Sequence, residues 1–166
     1  MAELTTQERL QPSLLDRLID DEPGQSDESR ERRVLSLSRL RESVLRDLGW
    51  LLNTTHLEVV ENLDQYPYAA KSVLNFGLPE LTGTSRSNLN REDIKRRLRE
   101  SIIAFEPRLR RQTLDIRITH ASDDSHTRLL EFEIDAELQA KPVSLSLFLK
   151  TEIDLESGTF EIIDAR

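Results

Sequence analysis

The chain has 166 residues, 37% apolar and 33% charged, enough for one domain whose core is supplemented by extended segments or a partner. A formal net charge of −8 argues against nonspecific binding to nucleic acid or to an anionic membrane. The absence of cysteine removes disulfides, thiol nucleophiles and thiolate metal sites, and fits a reducing compartment.

At the N-terminus, MAELTTQERL has no basic segment followed by an apolar run, and no stretch approaches the roughly 18 consecutive apolar residues of a membrane span. The expectation is a soluble cytoplasmic protein without membrane insertion. PSLLDRLID then places Leu14, Leu15, Leu18 and Ile19 on one helical face, with Ser13 and Asp16 spaced as a capping box. DDEPGQSDESRERR, residues 20–33, has Pro, Gly and dense charge without apolar spacing, and reads as a flexible linker. Residues 1–33 are therefore an N-terminal extension and 34–166 the folded domain. An isolated two-turn helix is marginal in water, so residues 14–19 either dock back onto the domain or act as a short recognition helix.

From Val34 the pattern tightens. Leu37, Leu40, Val44, Leu48 and Leu51 recur at spacings of three and four, predicting an amphipathic helix that Trp50 and Leu52 widen. Trp50 reads as a core anchor, Asn53 as the terminus and Gly49 as a mild weakness. Residues 54–90 are less regular: Asn75-Phe76-Gly77 and Leu78-Pro79 carry turn chemistry, SVL is a short strand or half-turn, and GTSRSN is a polar loop. A second helix follows, with Asn90 as N-cap, Asp93 at its third position and Leu89 against Ile94 as a hydrophobic staple. Ile94, Leu98, Ile102 and Phe105 form its buried face, while Lys95, Arg96, Arg97 and Arg99 project elsewhere. Pro107 biases Glu106 out of the helical region and ends it.

Beyond that corner the period changes to two. Leu114, Ile116 and Ile118, then Leu130, Phe132, Ile134, Ala136 and Leu138, then Val143, Leu145, Leu147 and Leu149 alternate with polar residues. Ile153 and Leu155 lead through ESGT to Phe160 and Ile162 as a short hairpin. One-sided alternation implies an antiparallel sheet with one wet face. The fold class is α+β: about four antiparallel strands on two to three mostly N-terminal helices. The acids Glu131, Glu133, Asp135 and Glu137 share one face of one strand, where they repel one another and describe a wet sheet face or a surface awaiting a basic partner strand.

Charge is uneven along the chain: residues 91–111 carry a net +4 between segments of −5 and −7. This basic stretch is either a solvated face paired with local acids or a docking patch for an acidic partner. Chemistry-bearing motifs are scarce. His56, His120 and His126 lack metal-ligand spacing and read as surface histidines, and no nucleophile elbow, phosphate-binding glycine loop or zinc-binding helix motif occurs. No cofactor is expected. Glycoside hydrolysis needs two carboxylates across a cleft, and the acids here mostly stand in rows. An unpaired sheet edge, by contrast, is a template for strand addition, and FEIIDAR offers one. The residues describe an interaction module rather than an enzyme.

Several segments carry a resemblance. PSLLDRLIDDEP (12–23), ESVLRDLGWLLNT (42–54), YPYAAKSVLNFGLPELTG (66–83), EDIKRRLRESIIAFEPRL (92–109) and LKTEIDLESGTFEI (149–162) resemble TssE. This type VI secretion baseplate family is similar to the phage tail baseplate wedge protein, whose family carries a lysozyme-like label. The resemblance implies a non-enzymatic subunit, one copy per wedge, at the inner face of the cytoplasmic membrane. It would bind the wedge subunits TssF and TssG, and TssK, and nucleate the TssB/TssC sheath by strand sharing, with the strand-accepting surface placed loosely on residues 145–164. It also implies that the corner Glu106, Pro107 and Arg108 packs against the TssF–TssG bundle. An exposed Glu106–Arg108 pair is worth ~0–1 kcal/mol, so Arg108→Ala is expected to spare the fold and weaken assembly. Proline within residues 159–163 is expected to block sheath nucleation. The alternatives are a peptidoglycan hydrolase, which needs a buried carboxylate pair in a sugar-sized cleft, and a small regulatory adaptor on the same fold.

Overall fold

The computed structural model describes residues 13–18, 37–79, 91–121, 129–139, 145–154 and 157–165, leaving aside the side chains of Arg17, Leu37, His120, Ala121, Asp164 and Ala165. The linker at 20–33, the polar loop at 83–88, the Asn90 cap with its Leu89 staple, and His126 lie outside the described residues. Helices α1 (Leu14–Leu18), α2 (Leu37–Leu52), α3 (Pro67–Ala70) and α4 (Arg91–Phe105) precede strands β1 (Asp115–Ala121), β2 (Leu129–Leu138), β3 (Leu145–Asp154) and β4 (Phe160–Ala165). The strands form one antiparallel sheet in the order β1-β2-β3-β4, so the fold is α+β.

The period-two pattern becomes a strictly one-sided sheet. In β2, Leu130, Phe132, Ile134, Ala136 and Leu138 are buried and their neighbours half-buried. The register sets Ile116 against Ile134 and Ile134 against Leu149, and Leu130 against Ile153 and Ile153 against Phe160. Over this apolar face lie Val44, Leu48 and Leu51 of α2 with Ile94, Leu98 and Ile102 of α4, in a single core. Each such side chain contributes roughly 1.5–3 kcal/mol by leaving water.

Trp50 corrects the sequence reading. It is 50% exposed, because it sits about 100° from Leu51 and twice that from Leu48 around a helix whose buried stripe those leucines define. Its ring instead carries the Arg46 guanidinium, 5.0 Å from the ring centre. Gly49, the weak point expected of α2, has nothing within 4 Å of where a Cβ would stand, so no packing requires it.

The outer sheet face is less repulsive than a file of four acids suggested. Glu131 meets Lys150 at 2.7 Å, Asp135 meets Arg117 at 2.9 Å and Glu137 meets Arg110 at 3.1 Å. Glu133 stands between Arg117 and Lys150 in register. Toward the last strand the acids line up, with Glu131, Glu152 and Glu161 in register across β2, β3 and β4.

Both edge strands are irregular. β1 slips between Ile118 and His120, and β4 places Ile163 as an extra residue between the pairs Thr151–Ile162 and Lys150–Asp164. Such bulges twist an edge and shorten the run over which another strand can pair. On β4 the Asn53 side-chain amide acts as a surrogate peptide. Its Nδ2 donates to the Phe160 carbonyl at 3.0 Å, and its Oδ1 accepts the Phe160 N–H at 2.9 Å. The outward backbone groups of Phe160 are thus occupied by the C-terminus of α2, and strand alternation turns those of Ile162 outward as well.

Between α2 and α4 the chain closes a compact loop. Leu78 N–H donates to the Thr54 carbonyl at 2.7 Å and His56 N–H to the Leu78 carbonyl at 2.9 Å. Gly77 makes this closure feasible: at φ +127° a Cβ would stand 2.3 Å from the Thr54 carbonyl oxygen. SVL proves to be a half-turn, the 3₁₀ segment Val73–Asn75. His56, expected at the surface, is partly buried by this closure, and its Nε2 has no hydrogen-bond partner.

Candidate docking site

Proline at 107 forbids the next helical hydrogen bond, so α4 closes with Glu106 N–H donating to the Ile102 carbonyl at 2.8 Å. The chain then turns, with Leu109 N–H on the Glu106 carbonyl at 3.2 Å. Two further bonds stitch the turn to the end of β2: Arg110 N–H to the Glu137 carbonyl at 2.9 Å, and Gln139 N–H to the Arg108 carbonyl at 2.7 Å. Leu109 bridges Leu138 between them. The corner backbone is therefore clamped by the sheet, and Arg99 adds bonds to the carbonyls of Leu114 and Arg111 just beyond it.

The side chains are clamped by α2. Arg108 Nε donates to Glu106 Oε1 at 2.6 Å, and its Nη2 to Glu106 Oε2 and to Asp47 Oδ2 at 2.6 Å. Arg108 Nη1 donates to the buried Ser43 hydroxyl at 3.1 Å, which itself bonds the Leu40 carbonyl. Burial works against the Arg108 charge, yet Glu106 and Asp47 hold its guanidinium even more firmly protonated than usual.

This geometry revises the expectation of an exposed, weak pair. Glu106 is 3% exposed with both oxygens on Arg108, so its carboxylate faces inward rather than toward solvent. Pro107 is the exposed member of the triplet and Arg108 is half-buried. Removing the Arg108 head would strand a buried carboxylate, so Arg108→Ala is not a silent change to the fold.

The ion pairs continue outward. Asp47 meets Arg46 at 2.8 Å, and Arg46 meets Asp16 of α1 at 2.7 Å, giving an alternating chain Glu106–Arg108–Asp47–Arg46–Asp16. Ser13 caps α1 by accepting the Asp16 N–H at 3.3 Å, and its hydroxyl donates to the Asp16 carboxylate at 2.6 Å. Burial tends to raise the Asp16 carboxyl, but the bonds from Ser13 and Arg46 hold it below the usual carboxylate range. α1 thus meets α2 through the Asp16–Arg46 pair, while Leu14 and Leu18 stay more than 70% exposed.

Between α1, α2 and the corner lies an open hollow of about 400 Å³. Leu15, Trp50, Leu51, Phe76, Phe105 and Pro107 give it an apolar lining, and Asp47, Glu106 and Arg108 stand at its charged wall. Phe76 and Phe105 pack edge to face, 5.3 Å apart, which fixes its floor. Walls held in place in this way would need little further ordering to receive apolar side chains. Sequence reasoning pointed to the corner but not to Trp50 and Leu15 beside it; the phase of Trp50 within α2 was the available signal.

Among the described residues, no cluster of His, Asp or Glu has metal-binding geometry, and no helix is long and apolar enough to cross a membrane. The model of the family of the baseplate wedge protein gp25 matches residues 38–143, from α2 through the corner to just past β2. No curated protein and no solved structure matches the chain.

Proposed function

Because the chain belongs to the baseplate wedge gp25 family, we propose that it is the TssE-type subunit of a type VI secretion baseplate, a cytoplasmic, non-enzymatic adaptor present once per wedge. In this reading residues 34–166 are the wedge domain and 1–33 an extension, of which α1 meets α2 through Asp16. The observation that carries it is the charge-locked corner: Pro107 is displayed beside an open apolar hollow by a turn that β2 and α2 both hold in place. Glu106, Pro107 and Arg108 contribute differently. Pro107 meets the partner with Trp50, while Glu106 and Arg108 set the shape of what is met. The partner is the TssF–TssG bundle, with TssK joining the same assembly.

The second contact is to the sheath. β4 keeps its Ile162 backbone outward, and the Glu131–Glu152–Glu161 row reaches that edge, which favours a basic strand from TssB/TssC. A hydrolase is disfavoured because Glu106, the buried carboxylate among the described residues, is spent on Arg108. The test of the corner is Trp50→Ser, which removes apolar lining without touching the ion-pair chain's carboxylates. Its binding to purified TssF–TssG should weaken at least about tenfold, more than the modest melting loss expected from removing the Arg46–Trp50 contact explains. Wild-type affinity in this variant would remove the hollow from the account.

A further inference from the structure

The loop from Thr54 to Leu78 displays large apolar side chains that its own fold does not use. Val60, Tyr66, Tyr68, Val73 and Leu74 are 76, 62, 92, 80 and 66% exposed. A connecting segment under no other demand carries polar residues at such positions, since apolar groups gathered at the surface are an aggregation risk. The backbone beneath them is braced. Asn75 is 3% exposed; its Oδ1 accepts the Glu58 N–H at 3.0 Å and its Nδ2 donates to the Ala70 carbonyl at 3.1 Å. One side chain thereby ties together the 3₁₀ turn Leu57–Val59, the end of α3 and the turn Val73–Asn75. The Ser72 hydroxyl caps the last of these, accepting the Leu74 N–H at 3.2 Å, and the Gly77 approach to Thr54 closes the base.

The charge around the patch is mainly acidic, with Lys71 its one cation. Glu58, Glu61 and Asp64 border a shallow hollow of about 350 Å³ together with Val59 and Val60. Such a rim repels an anionic lipid surface. In a second copy of this chain, the α4 cations Arg96 and Arg97 are already engaged by Asp93 and Glu100.

We propose that residues 56–76 form a second docking surface, distinct from the corner hollow, for a segment of a wedge subunit with apolar side chains at its centre and Lys or Arg at its margins. This rests on the baseplate reading. Tyr66 and Tyr68 supply rigid, amphipathic contact area and the three carboxylates supply register and salt sensitivity. Preorganisation by Asn75 means that little ordering is left for the moment of binding.

The experiment titrates purified TssF–TssG with four proteins: wild type, Tyr68→Ser/Leu74→Ser, Glu58→Gln/Glu61→Gln/Asp64→Asn, and Trp50→Ser. All altered positions of the two patch variants are exposed, so wild-type melting is expected and checked first. The apolar double variant should bind at least about tenfold more weakly, and the neutralised triple variant should lose most of the salt dependence of the wild type. Wild-type affinity in the double variant, alongside weakened Trp50→Ser, overturns this inference and leaves the baseplate reading standing. Self-association of the wild type that the double variant abolishes overturns it too, assigning the patch to a second copy. Failure of the wild type itself to bind TssF–TssG overturns the baseplate reading, and the inference with it.

Discussion

Arg108 shows how one side chain can join two elements of a protein. Its guanidinium spans Glu106, Asp47 and Ser43, so it fastens the end of α4 to the middle of α2. Breaking a buried pair by deleting one partner leaves the other charge without water or counter-charge, which costs about 3–5 kcal/mol. Arg108→Ala should lose about that much stability in urea denaturation. Glu106→Leu combined with Arg108→Met removes both charges at similar volume, and should recover most of the loss. Equal losses for the single and double variants would show that packing rather than the unpaired carboxylate sets the cost. An assembly defect in Arg108→Ala alone therefore cannot be read as a lost partner contact, which is why Trp50 is the better probe of the hollow.

At the scale of elements, the loop Thr54–Leu78 carries its own pH response through His56. Burial holds the His56 imidazole below its usual value of 6.5, with Arg97 acting in the same direction and the Gly77 backbone and Glu58 opposing. The unfolded chain thus takes the proton first. Stability is fully present above the unfolded value and is lost as pH falls below it. The denaturation midpoint should drop as pH falls below about 6.5, and His56→Asn, which cannot titrate, should flatten that part of the profile. An unchanged slope in His56→Asn would assign the acid sensitivity to other groups. Much of the element-level structure was legible beforehand, because period and punctuation are local: the α2 and α4 stripes, the stop at Pro107 and the alternation of β2 all follow from neighbours in sequence. What was hidden depends on distant partners. The Asn53 bracket on Phe160 spans 107 positions and the Arg108–Asp47 pair 61, and no spacing rule announces either. Trp50 is the instructive middle case, since hydrophobic identity pointed inward while helical phase pointed out.

Across the whole molecule, the proposed contacts lie on different elements: the corner hollow on α1, α2 and the end of α4, the braced patch on residues 56–76, and the free edge on β4. An adaptor between wedge and sheath needs such separation, because occupying one surface must leave the next accessible. α2 links the first and last, since Asp47 holds Arg108 while Asn53, at its C-terminus, holds Phe160. The Asn53 amide limits where a strand can add, leaving Ile162 as the outward position before the Ile163 bulge. Proline at an outward edge position removes no ladder bond of the resident sheet but denies a donor to an incoming strand. The most direct test of the adaptor account is therefore sheath formation in cells whose only copy carries Ile162→Pro. The account predicts that the variant co-purifies with TssF–TssG as the wild type does while TssB/TssC sheaths fail to form; wild-type numbers of sheaths would contradict it.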